Sequence, residues 1–230
     1  GGFFANGDQG YLSASQMGVQ DTVSGGTWSY GGPIVEQGDE YHVIIYTTGN
    51  PQIPYIHRWY KSNGTYIGQG TFNTAGGTNC NLNAARYIYD ATSDGNGTVW
   101  TASYNYRAFA KWGVNGGTWT CQNYWLMSGN KYPMAIAFEP NTNEMWMLVR
   151  NYQQPTWAFY AEKVNRSSPL TVIQSQYLAD TTLLGYNVYG FDIQGPRITV
   201  AAYAQKGTGQ GTHHIFLHTG NWYTSQGAVE

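Results

Sequence analysis

Ile136-Ala137-Phe138-Glu139-Pro140-Asn141-Thr142-Asn143-Glu144-Met145-Trp146 is the stretch whose reading decides the fold. A short apolar run stops at an acid, a polar turn follows, and a longer apolar run, Met145-Trp146-Met147-Leu148-Val149, takes over. Short apolar runs bounded by turn formers read as strands, and two of them joined by so few polar residues read as a hairpin.

The pattern recurs along the chain. It returns at Phe3–Leu12, at Ile34–Val43, at Tyr87–Asp90 with Gly97–Trp100, and at Tyr189–Val200. Glu36, Asp90, Glu139 and Asp192 follow the apolar run in four of the five copies, at intervals of roughly 50 residues, and Asn6 stands nearby in the fifth. A short acceptor side chain there is expected to bond the turn's own amides. A second hairpin follows each copy: Val23–Trp28, Trp59–Tyr66, Trp112–Trp119, Val164–Val172 and Leu217–Trp222. Asn-Gly and Gly-Gly between β-formers carry this signal, because both central residues need positive φ.

Two hairpins per period make a four-stranded unit, and 230 residues over five units give about 46 each. The pattern resembles small five-bladed β-propellers of the kind used as lectins and as tips of viral tail fibres. The resemblance is architectural, and no WD or kelch blade signature accompanies it. It implies an all-β fold, a five-bladed β-propeller of four-stranded antiparallel blades, as a single domain over residues 1–230. The alternative is a β-sandwich of similar strand count.

Composition narrows the function. Charged residues are only 10% of the chain, while aromatics reach 16% and glycines number 30. A neutral, hydrogen-bonding surface of this kind points to an extracellular or virion surface. A net charge of −2 with scattered Lys and Arg speaks against nucleic acid. No apolar stretch is long enough for membrane insertion. Neither signal peptide nor initial Met is present, so Gly1 is read as a processed or cut end. Cys80 and Cys121 are compatible with a disulfide in an oxidising compartment, or with two free thiols.

The nine Trp are expected mainly to wedge between blades. Binding is expected on the loops that join blades and that join second to third strands, because loops on a rigid scaffold concentrate function. Tyr104, Tyr106, Arg107, Tyr124, Trp125, Tyr152, Gln153 and Tyr186 are the expected ligand-binding residues. Flat rings suit the C–H faces of sugars, and planar amide groups suit their hydroxyls. The expected partner is a cell-surface glycan or receptor, with copies of the chain or particle neighbours as further partners. No cofactor is expected. His213-His214 point to opposite faces of a strand, so no metal site is expected either. The four repeated acids read as turn acceptors, since a catalytic set needs distinct roles rather than copies. The chain is therefore expected to be a non-catalytic binding module. The alternatives are a structural propeller of a surface particle and, further off, a secreted glycoside hydrolase.

Overall fold

The computed structural model describes residues 28–47, 53–138, 144–153, 156–180, 188–194, 197–203, 210–218 and 221–228. They are almost wholly strand. The first meander is β1 (Trp28–Gln37), β2 (Glu40–Thr47), β3 (Pro54–Tyr60) and β4 (Tyr66–Asn73). The second is β5 (Ile88–Ser93), β6 (Thr98–Ser103), β7 (Ala108–Asn115) and β8 (Thr118–Leu126). The third is β9 (Lys131–Phe138), β10 (Met145–Gln153), β11 (Thr156–Asn165) and β12 (Ser168–Asp180). The fourth is β13 (Val188–Gln194), β14 (Arg197–Tyr203), β15 (Gln210–His218) and β16 (Asn221–Ala228).

Each meander pairs its strands in chain order, so each is two hairpins back to back, as the repeats predict. The fifth unit, expected from Phe3, falls on residues 1–27, outside the described residues. Gly38 and Gly116 turn two of the hairpins with φ of +54° and +53°, a conformation that side chains resist. The repeated acids behave differently from expectation. Asp90 lies within β5, and it is Asp94 that accepts from the amides of Asn96 and Thr98, at 2.9 and 3.1 Å. Glu36 lies in β1 and holds Lys61 at 2.5 Å. The turn acceptor therefore comes later in the hairpin than the sequence suggests.

The chain divides into two compact units. One takes residues up to Thr101 together with Ala110–Tyr124; the other takes Ala102–Phe109 together with residues from Trp125 onward. In the first, β1 lies beside β5; in the second, β9 lies beside β13. First strand beside first strand is how propeller blades meet around an axis. The fold is all-β and propeller-like.

The first two meanders are also fused at their outer edges. β4 runs parallel to β8, with Thr71, Phe72 and Asn73 opposite Thr118, Trp119 and Thr120. A β-carbon at Gly70 would lie 2.3 Å from the Gly117 carbonyl oxygen, so only glycine permits this approach. The disulfide Cys80–Cys121 ties the segment after β4 to β8.

Indoles fill the first unit. Trp59, Trp100, Trp112 and Trp119 are each at most 1% exposed, and Phe72 meets Trp112 and Trp119 edge-on at 5.2 and 5.5 Å. Trp112 donates to Thr101 Oγ1 at 2.9 Å. This is the wedging role expected of them. In the second unit, Met134, Ala135 and Ala137 of β9 pack with Trp146, Leu148, Phe159, Ala161 and Leu178, and with Phe191 and Ile198 of the fourth meander.

Candidate functional site

Strand pairing in the third meander builds an aromatic cluster around one cation. Tyr132 of β9 stands opposite Arg150 of β10, and Tyr152 stands opposite Trp157 of β11. Alternate residues of a strand share a face, so Tyr132, Arg150, Tyr152 and Trp157 project together. Arg150, only 7% exposed, sets its guanidinium over Trp157 at 4.3 Å and over Tyr104 at 4.6 Å, with Tyr132 at 5.9 Å. The rings also touch one another: Tyr104–Tyr132 at 4.9 Å, Tyr132–Trp157 at 5.3 Å and Tyr152–Trp157 at 4.7 Å. The four rings are half-buried, each keeping part of its surface at the mouth.

The turn that carries Tyr104 is stitched to the β8–β9 connection. Arg107 accepts at its carbonyl from the Met127 amide at 2.7 Å, and its Nη1 donates to the Gly129 carbonyl at 2.5 Å. Its guanidinium lies 5.7 Å from the Tyr132 ring. The backbone of Arg107 has φ of +52°, a left-handed conformation that costs about 1–2 kcal/mol for a residue with a β-carbon. Such strain persists only where the surroundings over-determine it, and it concentrates at functional sites. The Tyr152 amide in turn donates to the Asn130 carbonyl at 3.1 Å. The turn after β6, the β8–β9 connection and the end of β10 are thereby bound together.

Of the expected residues, the fold brings Tyr104, Arg107 and Tyr152 into this cluster. Tyr106 sits half-buried in the same turn, and Gln153 ends β10 opposite Thr156. Tyr186 lies outside the described residues. Tyr124 and Trp125 are not in a loop: β8 runs through them to Leu126, and Tyr124 is 5% exposed, a core residue. Residues 71–78 run parallel to β8 and cover this stretch, with Thr78 bridging to Asn123. Reading the sequence missed Tyr132, Arg150 and Trp157. The available signal was Arg150 itself, a charge continuing the apolar run Met145–Val149 within one strand.

A second polar constellation, in the first unit, has the look of a proton relay. His42, 1% exposed, accepts at Nδ1 from Trp119 Nε1 at 2.9 Å, so its proton sits on Nε2 and is donated to Glu40 Oε2 at 2.9 Å. Arg58 grips both Glu40 oxygens, Nε to Oε2 at 2.7 Å and Nη2 to Oε1 at 2.8 Å. The Arg58 hydrogen bonds hold Glu40 below the usual carboxylate range, burial pushes His42 down, and Glu40 raises Arg58. Both imidazole nitrogens are committed. The set is a brace between β2, β3 and β8 rather than an acid–base pair.

No family model matches the sequence, and no curated protein matches it. Solved structures do match in fold. Over 90% of this chain and 68% of the other, it is similar to hydrazine synthase of Kuenenia stuttgartiensis, with 9% identity and a TM-score of 0.52. Over 86% of this chain and 49% of the other, it is similar to exo-β-1,3-galactanase of Phanerochaete chrysosporium, with 11% identity and a TM-score of 0.54. Over 86% and 72%, it is similar to the periplasmic gluconolactonase of Pseudomonas aeruginosa, with 9% identity and a TM-score of 0.50. At such identities the likeness is one of fold, and the fold is β-propeller-like.

These neighbours correct the functional expectation. The structures that share the architecture are largely enzymes, lactonases and a galactanase among them. A non-catalytic binding module is therefore not what this fold points to. The expectation rested on the repeated acids and on the absence of metal and nucleophile motifs, and did not weigh the architecture that the chain shares with these enzymes.

Proposed function

We propose that the protein is an enzyme-type propeller that holds a sugar-like, anionic substrate in the Arg150 cluster. The observation that carries this reading is the guanidinium packed against both Tyr104 and Trp157 beside the strained, stitched turn. Rings packed against the guanidinium restrict its orientation, so little side-chain entropy is lost on meeting a ligand. A guanidinium edge matches the two oxygens of a carboxylate or phosphate. The flanking Tyr132, Tyr152 and Trp157 rings suit the C–H faces of a pyranose. Sugar acids and acidic oligosaccharides combine both features. A galactanase solved with β-1,3-galactotriose and a gluconolactonase among the fold neighbours are consistent with a carbohydrate substrate. A location outside the reducing cytoplasm belongs to the same proposal, and the Cys80–Cys121 disulfide supports it.

The test is a turnover screen of uronate oligomers, sulfated oligosaccharides and sugar phosphates, with calorimetry of the same anions. Turnover of one class is expected. Trp157→Ala and Tyr152→Ala should each raise KM on the order of tenfold, leaving kcat within a few-fold, because they remove ground-state contacts. Absence of both turnover and binding across the three classes sinks the proposal, as does a Trp157→Ala variant with unchanged KM.

A further inference from the structure

The third meander has an outer edge unlike those of the first two. β4 and β8, the last strands of their meanders, pair with each other over Thr71–Asn73 and Thr118–Thr120. β12 is also the last strand of its meander and, at 13 residues, the longest of the described strands. It pairs with β11 on one side, and among the described residues no strand pairs with its other side. An unpaired edge presents backbone donors and acceptors to another chain, and edge strands are usually guarded by lysine, proline or bulges. Here the guards stand away from the middle. No residue from Ser167 to Ala179 is charged, and Pro169 lies at the start. The irregularities in pairing with β11 flank Gln174–Tyr177, which run in unbroken register opposite Tyr160–Lys163. Leu170, Val172, Ile173 and Tyr177 are exposed, Ile173 at 59%. Neighbouring residues of a strand point to opposite faces, so Val172 and Ile173 put apolar surface on both sides of the edge.

We propose that β12 is the docking strand of a symmetric dimer, in which a second copy of this chain adds its own β12 antiparallel to the first. The charges at the two ends select that occupant. Arg166 precedes the strand and Asp180 ends it. An antiparallel copy brings the Arg166 end of each strand to the Asp180 end of the other, so unlike charges meet twice. A parallel copy would set like on like, and opposite charges across strands stabilise where like charges destabilise. Between the ends there is no charge to repel. Twofold pairing uses the same edge on both copies, so the assembly closes at two. Leu170, Val172, Ile173 and Tyr177 then gain cross-strand neighbours, the unit from which sheets draw their stability. The dimer does not depend on what the Arg150 cluster holds.

The experiment is sedimentation equilibrium of the full chain from low micromolar to millimolar concentration. One strand pair makes a small interface, so monomer should give way to dimer with a Kd on the order of 100 μM. Amide hydrogen exchange at the dimeric concentration should slow in β12. Ile173→Lys places a charge at the middle of the edge and should raise Kd at least about tenfold. Ser175→Lys, at another exposed position, should do the same, and it decides the matter if Ile173→Lys lowers the melting temperature of the dilute monomer. Arg166→Asp sets acid beside acid at both ends and should weaken the dimer by about threefold or more. Adding Asp180→Arg reverses both ends and should restore the wild-type constant. A chain that stays monomeric at millimolar concentration overturns the proposal. So does a dimer that both lysine variants leave unchanged, one that the double charge reversal fails to restore, or one whose slowed amides lie outside β12.

Discussion

Two polar constellations, one in each unit, are built differently. In the first, Trp119, His42, Glu40 and Arg58 form a chain in which both imidazole nitrogens and both carboxylate oxygens are engaged. In the second, a buried guanidinium packs against a cluster of rings, and Lys131 holds one oxygen of the buried Glu162 carboxylate. A closed network spends its hydrogen bonds on the fold. A cation packed on rings is held by ring contacts instead. Resemblance to a catalytic relay is therefore a poor guide here, and engagement of each atom is a better one.

This contrast can be broken in measurable ways. The largest effect should come from Cys80→Ser with Cys121→Ser. The bridge closes a 41-residue separation, and chain entropy assigns it about 4 kcal/mol. Denaturation with hydrogen exchange should place that loss in β4 and β8; a loss spread evenly over β9–β12 would erase the distinction. Next is Arg58→Ala, which strips Glu40 of its main partner and should cost about 2–3 kcal/mol in urea unfolding.

The third effect is on pH. His42 is held below its ordinary 6.5 by burial, so its contribution is complete above that value and drains as pH falls below it, when the unfolded chain takes up a proton that the folded chain refuses. Glu40, held below its ordinary 4.5 by Arg58, adds a second loss below that pH. Urea midpoints should fall from pH 7 to pH 5, and a His42→Gln variant should flatten the first part of the fall. A wild-type curve flat between pH 7 and 5 would refute the closed network. The smallest effect sharpens the other half. Replacing the Lys131–Glu162 pair together by Met and Leu should change stability by less than about 1 kcal/mol, or raise it, because well-packed apolar side chains commonly replace a buried ion pair without loss. A loss as large as that of Arg58→Ala would make this pair a brace as well.

Much of the fold was legible from local chemistry. Asn115-Gly116-Gly117 between Trp112 and Trp119 demands a hairpin whatever surrounds it, and the apolar run Met145–Val149 demands a covered strand. Tyr124 shows where local reading ends. Beside Gln122 and Asn123 it looks like part of a polar loop, yet the parallel approach of residues 71–78 makes it interior. Arg150 shows the same limit from the other side: a charge after five apolar residues is visible, but its neighbours Tyr104 and Trp157 are not.

By itself the sequence determined the strands, their turns and their grouping in fours, because positive φ and alternation of side chains act within a few residues. The tertiary structure alone decided which polar groups close into a hydrogen-bonded network and which pack on rings. That depends on register across β9, β10 and β11 and on a turn brought in from β6–β7, separations over which no local preference reaches. Only packing can set Arg150 over the ring of Tyr104, or bury Glu162 against Lys131.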